Sequence, residues 1–202
     1  MNQFRKFYKM DNKLKLVAKY FGIDRVKFNE PIAQYTSLNV GGPVKLFFIS
    51  FTKQELIKMV RVCRDLKLPN FIFGTGSKIM MSDNGFEGVV IKNRTKDIHI
   101  ISIKGKVSKI GIGVDEALIE VDSGVSILKF VEFLDTQGLL ADEFRQRPGS
   151  IGGDLFLNKS LQSKVKSIKV LNLNSQVEEI GTENLSLKKH IILSAIFRIK
   201  AK

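Results

Sequence analysis

The sequence predicts an α+β protein built from two lobes that meet near residue 93. The first half shows a strand–helix–strand pattern, and the second half is rich in predicted strands with one amphipathic helix between them. Two glycine-rich loops, G-T-G-S at Gly74–Ser77 and P-G-S-I-G-G at Pro148–Gly153, each follow an apolar run. A chain of 202 residues is long enough for two small lobes that share a core.

Residues 1–29 form a basic lead that the spacing predicts as helical. Its apolar residues recur at broken helical intervals, and Gly22 ends the pattern. These apolar residues are Phe4, Tyr8, Leu14, Leu16, Val17, Tyr20 and Phe21. We expect this lead to precede a first lobe at residues 30–92 and a second lobe at residues 93–202.

The first lobe begins with a buried strand at Val44–Phe51. Thr52 and Glu55 then form a T-x-x-E capping box, which predicts the start of an amphipathic helix. Pro69 ends that helix, because proline disfavours helical geometry in the residue before it. A short strand at Phe71–Phe73 leads directly into the first glycine loop. After that loop, a turn at Asp83–Gly85 precedes a strand at Gly88–Lys92.

The second lobe contains one clear helix, which Ser126 opens and Gly138 closes in the usual C-terminal glycine position. The rest of the lobe alternates in the manner of strands, with breaks at Lys104-Gly105 and Val114–Glu116. Strands are predicted at His99–Ile103, Val107–Ile112, Ala117–Val121, Ser167–Leu173 and Ile191–Ile199.

Composition argues against several kinds of site. The single cysteine, Cys63, excludes an internal disulfide and a cysteine-cluster metal site. His99 and His190 are far apart in sequence, so neither a histidine metal site nor a Ser-His-Asp triad is expected. No apolar run approaches the ~20 residues of a membrane span, and the N-terminus lacks the apolar core of a secretory signal. We therefore expect a cytoplasmic protein.

The formal net charge of +13 lies mainly on the flanks of the chain. Residues 1–30 carry eight basic and three acidic side chains, residues 159–202 carry nine and three, and residues 31–158 carry sixteen and fourteen. Lysine outnumbers arginine by 25 to eight, whereas base recognition favours arginine. We expect a solvated basic surface that steers anionic ligands weakly, and no nucleic-acid partner.

The two glycine loops are typical of backbone that approaches an anion closely, because glycine permits a positive φ and leaves room for converging N–H groups. Two such loops suggest a diphosphate held from two sides, although each loop alone is also typical of a tight turn. The dinucleotide fingerprint fails because Ile79 stands where a third glycine is required, and no G-K-[ST] is present for a Walker loop.

Four segments together resemble the UDP-N-acetylenolpyruvoylglucosamine reductase family. They are Y-T-S-L-N-V-G-G-P at Tyr35–Pro43, F-G-T-G-S at Phe73–Ser77, M-S-D-N-G-F-E-G-V-V-I at Met81–Ile91 and the second glycine loop. The resemblance runs from about Glu30 to about Ile199. It implies a two-lobed FAD-binding fold of the vanillyl-alcohol-oxidase type. It also implies a flavoenzyme that uses NADPH to reduce the enolpyruvyl ether of a UDP-sugar during peptidoglycan precursor synthesis.

The resemblance further implies the residues that contact FAD. The first loop wraps the pyrophosphate, and the second loop helps to hold the flavin side. The implied contacts are Gly74, Thr75, Gly76, Ser77, Lys78, Ile79, Ser123, Gly124, Pro148, Gly149, Ser150, Gly152, Gly153, Asn158 and Ile192.

The sequence departs from the family pattern close to these contacts. Lys78 replaces an asparagine, Arg147 replaces an isoleucine before P-G, and Asp154 replaces a small residue after G-G. Lys159–Leu161 replaces a glycine-containing continuation, and the segment between Gly181 and Ile191 lacks the tyrosine and arginine of the substrate motif. The family's separate substrate domain would begin where this chain ends. We therefore assign no catalytic residue.

Three functions remain open from the sequence. The chain is an FAD-binding protein that lacks the complete reductase reaction, or an NADPH-dependent flavin oxidoreductase that works with a protein partner or another acceptor. Under the third function, the fold persists without flavin and the basic flanks of the chain bind other proteins.

Overall fold

A computed structural model of the chain describes residues 11–108 and 111–202, with the side chains of residues 106–112 excluded. The chain divides into two compact units, Met1–Arg94 and Thr95–Lys202, which are called the first and second unit below. Helices and sheets occur in both units, as the α+β prediction requires. The first ten residues of the predicted helical lead lie outside the described residues, as does part of the predicted strand Val107–Ile112.

The first unit is a four-stranded mixed sheet with two helices. Strands β2, β4 and β3 run parallel, and β1 pairs with β2 in the antiparallel direction, giving the order β1-β2-β4-β3. Its elements are α1 (Asn12–Phe21), β1 (Val26–Pro31), β2 (Pro43–Ser50), α2 (Lys53–Asp65), β3 (Asn70–Phe73) and β4 (Phe86–Asn93).

Strand β1 replaces the end of the predicted helical lead. Its side chains alternate between buried and exposed, with Val26, Phe28 and Glu30 on the buried side. Gly22 is the C-cap residue of α1, where the helical pattern was expected to end, and the segment after it pairs with β2. Helix α2 likewise begins where the capping box predicted: Thr52 Oγ1 accepts from Glu55 N at 3.1 Å.

The two faces of the first sheet are covered differently. Helix α2 contacts β2 and β4, and Phe21 of α1 lies against Phe48 with ring centroids 5.1 Å apart. Because neighbouring residues of a strand point to opposite faces, Phe47 points away from Phe48. A separate apolar cluster forms around Phe47, Phe73 and Val90, against which Tyr35, Ile79 and Met81 pack.

The second unit is a five-stranded antiparallel sheet with helices packed against it. The strand order is β5-β6-β9-β7-β8, and its core includes the mutually packed rings of Phe130, Phe144 and Phe197. Its elements are β5 (Ile98–Ser108), β6 (Gly111–Asp122), α3 (Ile127–Thr136), α4 (Ile151–Leu157), α5 (Lys159–Gln162), β7 (Val165–Leu171), β8 (Val177–Ile180) and β9 (Ile191–Lys200).

One prediction about the second unit was wrong in detail, and one helix was not predicted. The three strands expected between residues 99 and 121 are two long strands, β5 and β6. The predicted break at Lys104-Gly105 is a shift of register within the pair. The second glycine loop also ends in a helix, since Ser150 caps α4 by accepting from Gly153 N at 3.5 Å. Side-chain capping thus overcomes the low helix propensity of two glycines.

None of the described helices has the length and apolar character that crossing a bilayer requires. Within the same residues, no group of three or more histidine, cysteine or carboxylate side chains is placed to hold a metal ion.

Candidate functional site

The first glycine loop, Gly74–Ile79, leaves β3 and lies against the backbone that precedes β2. Gly76 has a φ of +83°, and a Cβ at this position would collide with the carbonyl oxygen of Tyr35. Ser37 N donates to Gly76 O at 3.1 Å, and the hydroxyls of Thr75 and Ser77 lie 3.1 Å apart. Only glycine therefore allows the loop to approach the chain this closely.

Two further glycine-containing segments join this loop. Gly42 N and Gly85 N both donate to Ser82 O, at 3.0 and 2.9 Å, and Gly41 N lies 3.3 Å from Asp83 Oδ1. A Cβ on Gly42 would collide with the backbone of Asp83. Residues 35–43, 74–79 and 81–85 thus cover one face of the first sheet, and we call them the loop layer. Three of the segments that carry the family resemblance meet there.

The loop layer contains three consecutive amides for which the described residues supply no acceptor. In the described part of the chain, the N–H groups of Thr75, Gly76 and Ser77 donate to no protein acceptor. Consecutive amides in a turn that contains a left-handed glycine form a concave donor set suited to phosphate oxygens. The Lys78 side chain is exposed beside them. These residues fit the diphosphate of a nucleotide cofactor.

Lys92 lies beneath this layer and was not among the predicted site residues. Its Nζ is 5.0 Å from the ring centroid of Phe73, 5.4 Å from that of Tyr35 and 3.4 Å from Tyr35 O. Burial lowers the pKa of this ammonium, and the nearby charge of Arg94 lowers it further. In the sequence, Lys92 reads as the last residue of a strand, and nothing local indicates that it turns inward.

Tyr35 is held in place from several sides. Its ring stacks on Phe47 with centroids 4.4 Å apart. Its hydroxyl donates to Glu30 Oε1 and accepts from Lys27 Nζ, both at 2.8 Å. Burial raises the pKa of Tyr35, and the bonds to Tyr35 and Glu30 raise that of Lys27. Because the Tyr35 carbonyl contacts both Gly76 and Lys92, these bonds also position the glycine loop.

The second glycine loop differs in how its amides are used. Ile151 N donates to Val125 O and Gly152 N donates to Ser123 O, both at 2.9 Å, while Gly153 N bonds to the cap at Ser150. A Cβ on Gly152 would lie only 2.9 Å from that of Ser123. These backbone N–H groups hold the loop to the segment that precedes α3, and they are therefore not available to bind an anion.

The remaining predicted contacts of the second unit lie around this loop. Ser123 N donates to Leu193 O at 2.9 Å, and Gly124 N bonds to Thr95 Oγ1 at 3.1 Å. Pro148 is exposed and Gly149 has a φ of +130°. Ile192 is buried in β9 as part of the unit's own core.

Three of the departures from the family pattern, at Arg147, Asp154 and Ser160, lie in one connected network in the second unit. Arg147 Nη1 lies 3.7 Å from Asp154 Oδ2, and Asp154 is only 2% exposed. The same guanidinium donates to Glu143 O at 2.6 Å and to Ser160 Oγ at 3.1 Å. Ser160 in turn donates to Asn158 Oδ1 from its N and Oγ, at 3.1 and 2.8 Å. The buried carboxylate thus has a cationic partner at ion-pair distance, although its Oδ2 atom accepts no hydrogen bond from the guanidinium.

Known proteins share the sequence and the fold of this chain. The family model described as FAD binding domain matches residues 44–163. A UDP-N-acetylenolpyruvoylglucosamine reductase of Clostridium perfringens (strain 13 / Type A) is 26% identical over 193 residues, which cover 93% of this chain and 57% of that protein. The reductase of Alkaliphilus metalliredigens is 28% identical over 171 residues, covering 82% and 53%. The chain spans just over half the length of these curated relatives.

Solved structures show the same fold. The reductase from Thermus caldophilus superposes with a TM-score of 0.57 at 19% identity, covering 86% of this chain and 60% of that one. p-Cresol methylhydroxylase with bound substrate superposes with a TM-score of 0.58 at 14% identity, and the match covers 96% of this chain and 44% of that one. Alkyldihydroxyacetonephosphate synthase superposes with a TM-score of 0.63 at 14% identity, and the match covers 96% of this chain and 44% of that one. The predicted fold of the vanillyl-alcohol-oxidase type is therefore confirmed.

Proposed function

Because this chain belongs to the family of FAD binding domains, we propose that it binds FAD and serves a reductase-type reaction. The observation that carries the proposal is the row of unused amides at Thr75–Ser77 in the loop layer. A flavin dinucleotide carries a diphosphate, and backbone amides bind such a group without requiring a paired side-chain charge.

The two glycine loops would contribute in different ways. The first loop would bind the pyrophosphate through its amides and the hydroxyls of Thr75 and Ser77, with Lys78 and Ile79 at its end. In the second unit, the internal hydrogen bonds of the loop favour a rigid surface over an anion site. The contacts proposed there are Ser123, Gly124, Pro148, Gly149, Ser150, Gly152, Gly153, Asn158 and Ile192.

Bound FAD would supply the electron chemistry, since it accepts a hydride and passes electrons to an acceptor. This chain's residues would bind the dinucleotide and fix its orientation. The names of the relatives favour a role on UDP-linked precursors of peptidoglycan, with NADPH as the proposed reductant and the cytoplasm as the place where these charged metabolites meet. We propose no residue of this chain as the proton donor, and a protein partner is one source of such a group.

The first experiment is an absorption spectrum of the purified protein, combined with identification of any released cofactor. We expect stoichiometric FAD, which NADPH bleaches under anaerobic conditions. Reoxidation by UDP-N-acetylenolpyruvoylglucosamine would support the reductase role, whereas reoxidation only by another acceptor would favour a different oxidoreductase. A colourless protein that takes up no added FAD would overturn the proposal.

A further inference from the structure

We propose that Lys92 is a cofactor-binding residue whose ammonium neutralises the diphosphate held by the amides of Thr75–Ser77. The inference rests on the proposed binding of FAD and extends it to a side chain outside both glycine loops. It stands on the position of Lys92, on the absence of a carboxylate beside it, and on the kind of donors that surround it.

The position of Lys92 is set by strand pairing. In the parallel pair of β3 and β4, Lys92 is the partner of Phe73, the last residue before the first glycine loop. Its Nζ lies against the carbonyl oxygen of Tyr35 at 3.4 Å, the same oxygen that excludes a side chain at Gly76. The ammonium and the glycine loop thus share one point of contact.

No carboxylate of residues 11–108 or 111–202 forms an ion pair with the Lys92 ammonium. Within the described residues, the only hydrogen bond of Lys92 is the long one to Tyr35 O, and its other contacts are the rings of Tyr35 and Phe73. Lys27, by contrast, lies 3.1 Å from Glu30, and Lys169 lies 2.8 Å from Glu120. A half-buried ammonium is costly without an opposite charge, and a bound anion would supply one.

The surrounding donors favour a phosphate over a carboxylate ligand. Three adjacent amides and one ammonium offer more hydrogen bonds than a single carboxylate accepts, whereas a diphosphate presents many charged oxygens. Besides Arg94, whose charge acts on Lys92, the titratable groups around the shared Tyr35 ring are the Tyr35 phenol, Lys27 and Glu30. Glu30 is already bonded to Lys27, Gln34 and Tyr35, so it does not neutralise Lys92.

The test compares Lys92→Met, which removes the charge, with Lys92→Arg, which keeps it. Lys45→Met is the matched control, because Lys45 lies on the neighbouring strand and forms a salt bridge with the exposed Glu87 at 3.1 Å. Calorimetric titration of the full chain with FAD, and separately with inorganic pyrophosphate, gives the dissociation constants. Melting of each ligand-free variant checks that it is folded.

We expect Lys92→Met to weaken both FAD and pyrophosphate by about tenfold or more, the effect of losing one charge-assisted contact. Lys92→Arg should retain most of the affinity, and Lys45→Met all of it. Equal affinity of wild type and Lys92→Met for FAD would overturn the inference while leaving FAD binding intact. If the wild type binds pyrophosphate through Lys92 but not FAD, the proposed function fails and the anion site stands. Binding of neither ligand would overturn both.

Discussion

At the scale of single residues, this site depends on a glycine without a Cβ and on a lysine that no carboxylate of the described residues neutralises. Gly76 lies where a Cβ would meet the backbone of Tyr35, and Lys92 approaches the same carbonyl from beneath. The glycine motif is visible in sequence because glycine marks unusual backbone. The role of Lys92 cannot be predicted from the sequence, since a lysine at the end of a strand is ordinarily solvated. Its inward direction follows from the aromatic rings around it, which only the folded sheet brings together.

Gly76→Ala should destabilise the first unit and abolish FAD uptake. The substitution places a methyl group in a left-handed conformation and against backbone, so we expect a loss of about 3 kcal/mol in the free energy of unfolding. Gly138→Ala is the matched control, because Gly138 also has a positive φ, of +68°, with open space around its Cβ position. That control should lose about 1 kcal/mol. Urea titration measures both, and equal losses would contradict the collision argument.

Arg147 and Asp154 should behave as a coupled pair. Arg147→Met leaves a buried carboxylate without its cation, so we expect a loss of about 2 kcal/mol, less than for a fully buried pair because Arg147 is partly exposed. The double variant Arg147→Met/Asp154→Ala should regain at least about 1 kcal/mol of this loss. Urea unfolding of the wild type, both single variants and the double variant completes the cycle. Strict additivity of the two single effects would show that the ion pair carries no coupling.

At the scale of elements, the predictable features were those with local causes. Thr52 and Ser126 cap α2 and α3 as their sequences indicate, and Gly138 follows the end of α3 with a positive φ. Strand β1 and helix α4 were missed for opposite reasons. The alternation of β1 is short and lies within a basic segment, and α4 begins with residues of poor helix propensity. Both elements form because neighbouring structure completes their hydrogen bonds.

The reactivity of the Cys63 thiol measures how firmly α2 packs against the first sheet. Cys63 is fully buried, and burial raises the pKa of its thiol to about 12. The thiolate is the reactive form, so at pH 8 only about one thiol in ten thousand is reactive. We expect the folded protein to resist a disulfide reagent and to react stoichiometrically in concentrated urea. Rapid labelling under native conditions, followed spectrophotometrically, would show that α2 detaches readily.

At the scale of the whole molecule, charge rather than shape sets the expected behaviour toward ligands. The net charge of +13 creates a field that favours anions, and its excess lies toward the two ends of the chain. A field of this kind changes association rates more than the contacts made in the final complex.

The association rate of FAD should therefore fall several-fold as salt rises from low to physiological concentration, because the Debye length shortens to about 8 Å. Riboflavin has no phosphate and provides the control, since its association rate should hardly change. Stopped-flow measurement of flavin fluorescence distinguishes the two ligands. A parallel decline for riboflavin would mean that salt acts on the protein and not on steering.

The position of β9 has a consequence for biosynthesis. This strand is the last of the second unit in sequence, yet it lies between β6 and β7 and pairs with both. Until residues 191–200 leave the ribosome, the hairpins β5–β6 and β7–β8 lack the strand that joins them into one sheet. The nascent second unit thus exposes two apolar faces until β9 has been synthesised. During this period the chain is most prone to aggregate and would benefit most from a chaperone.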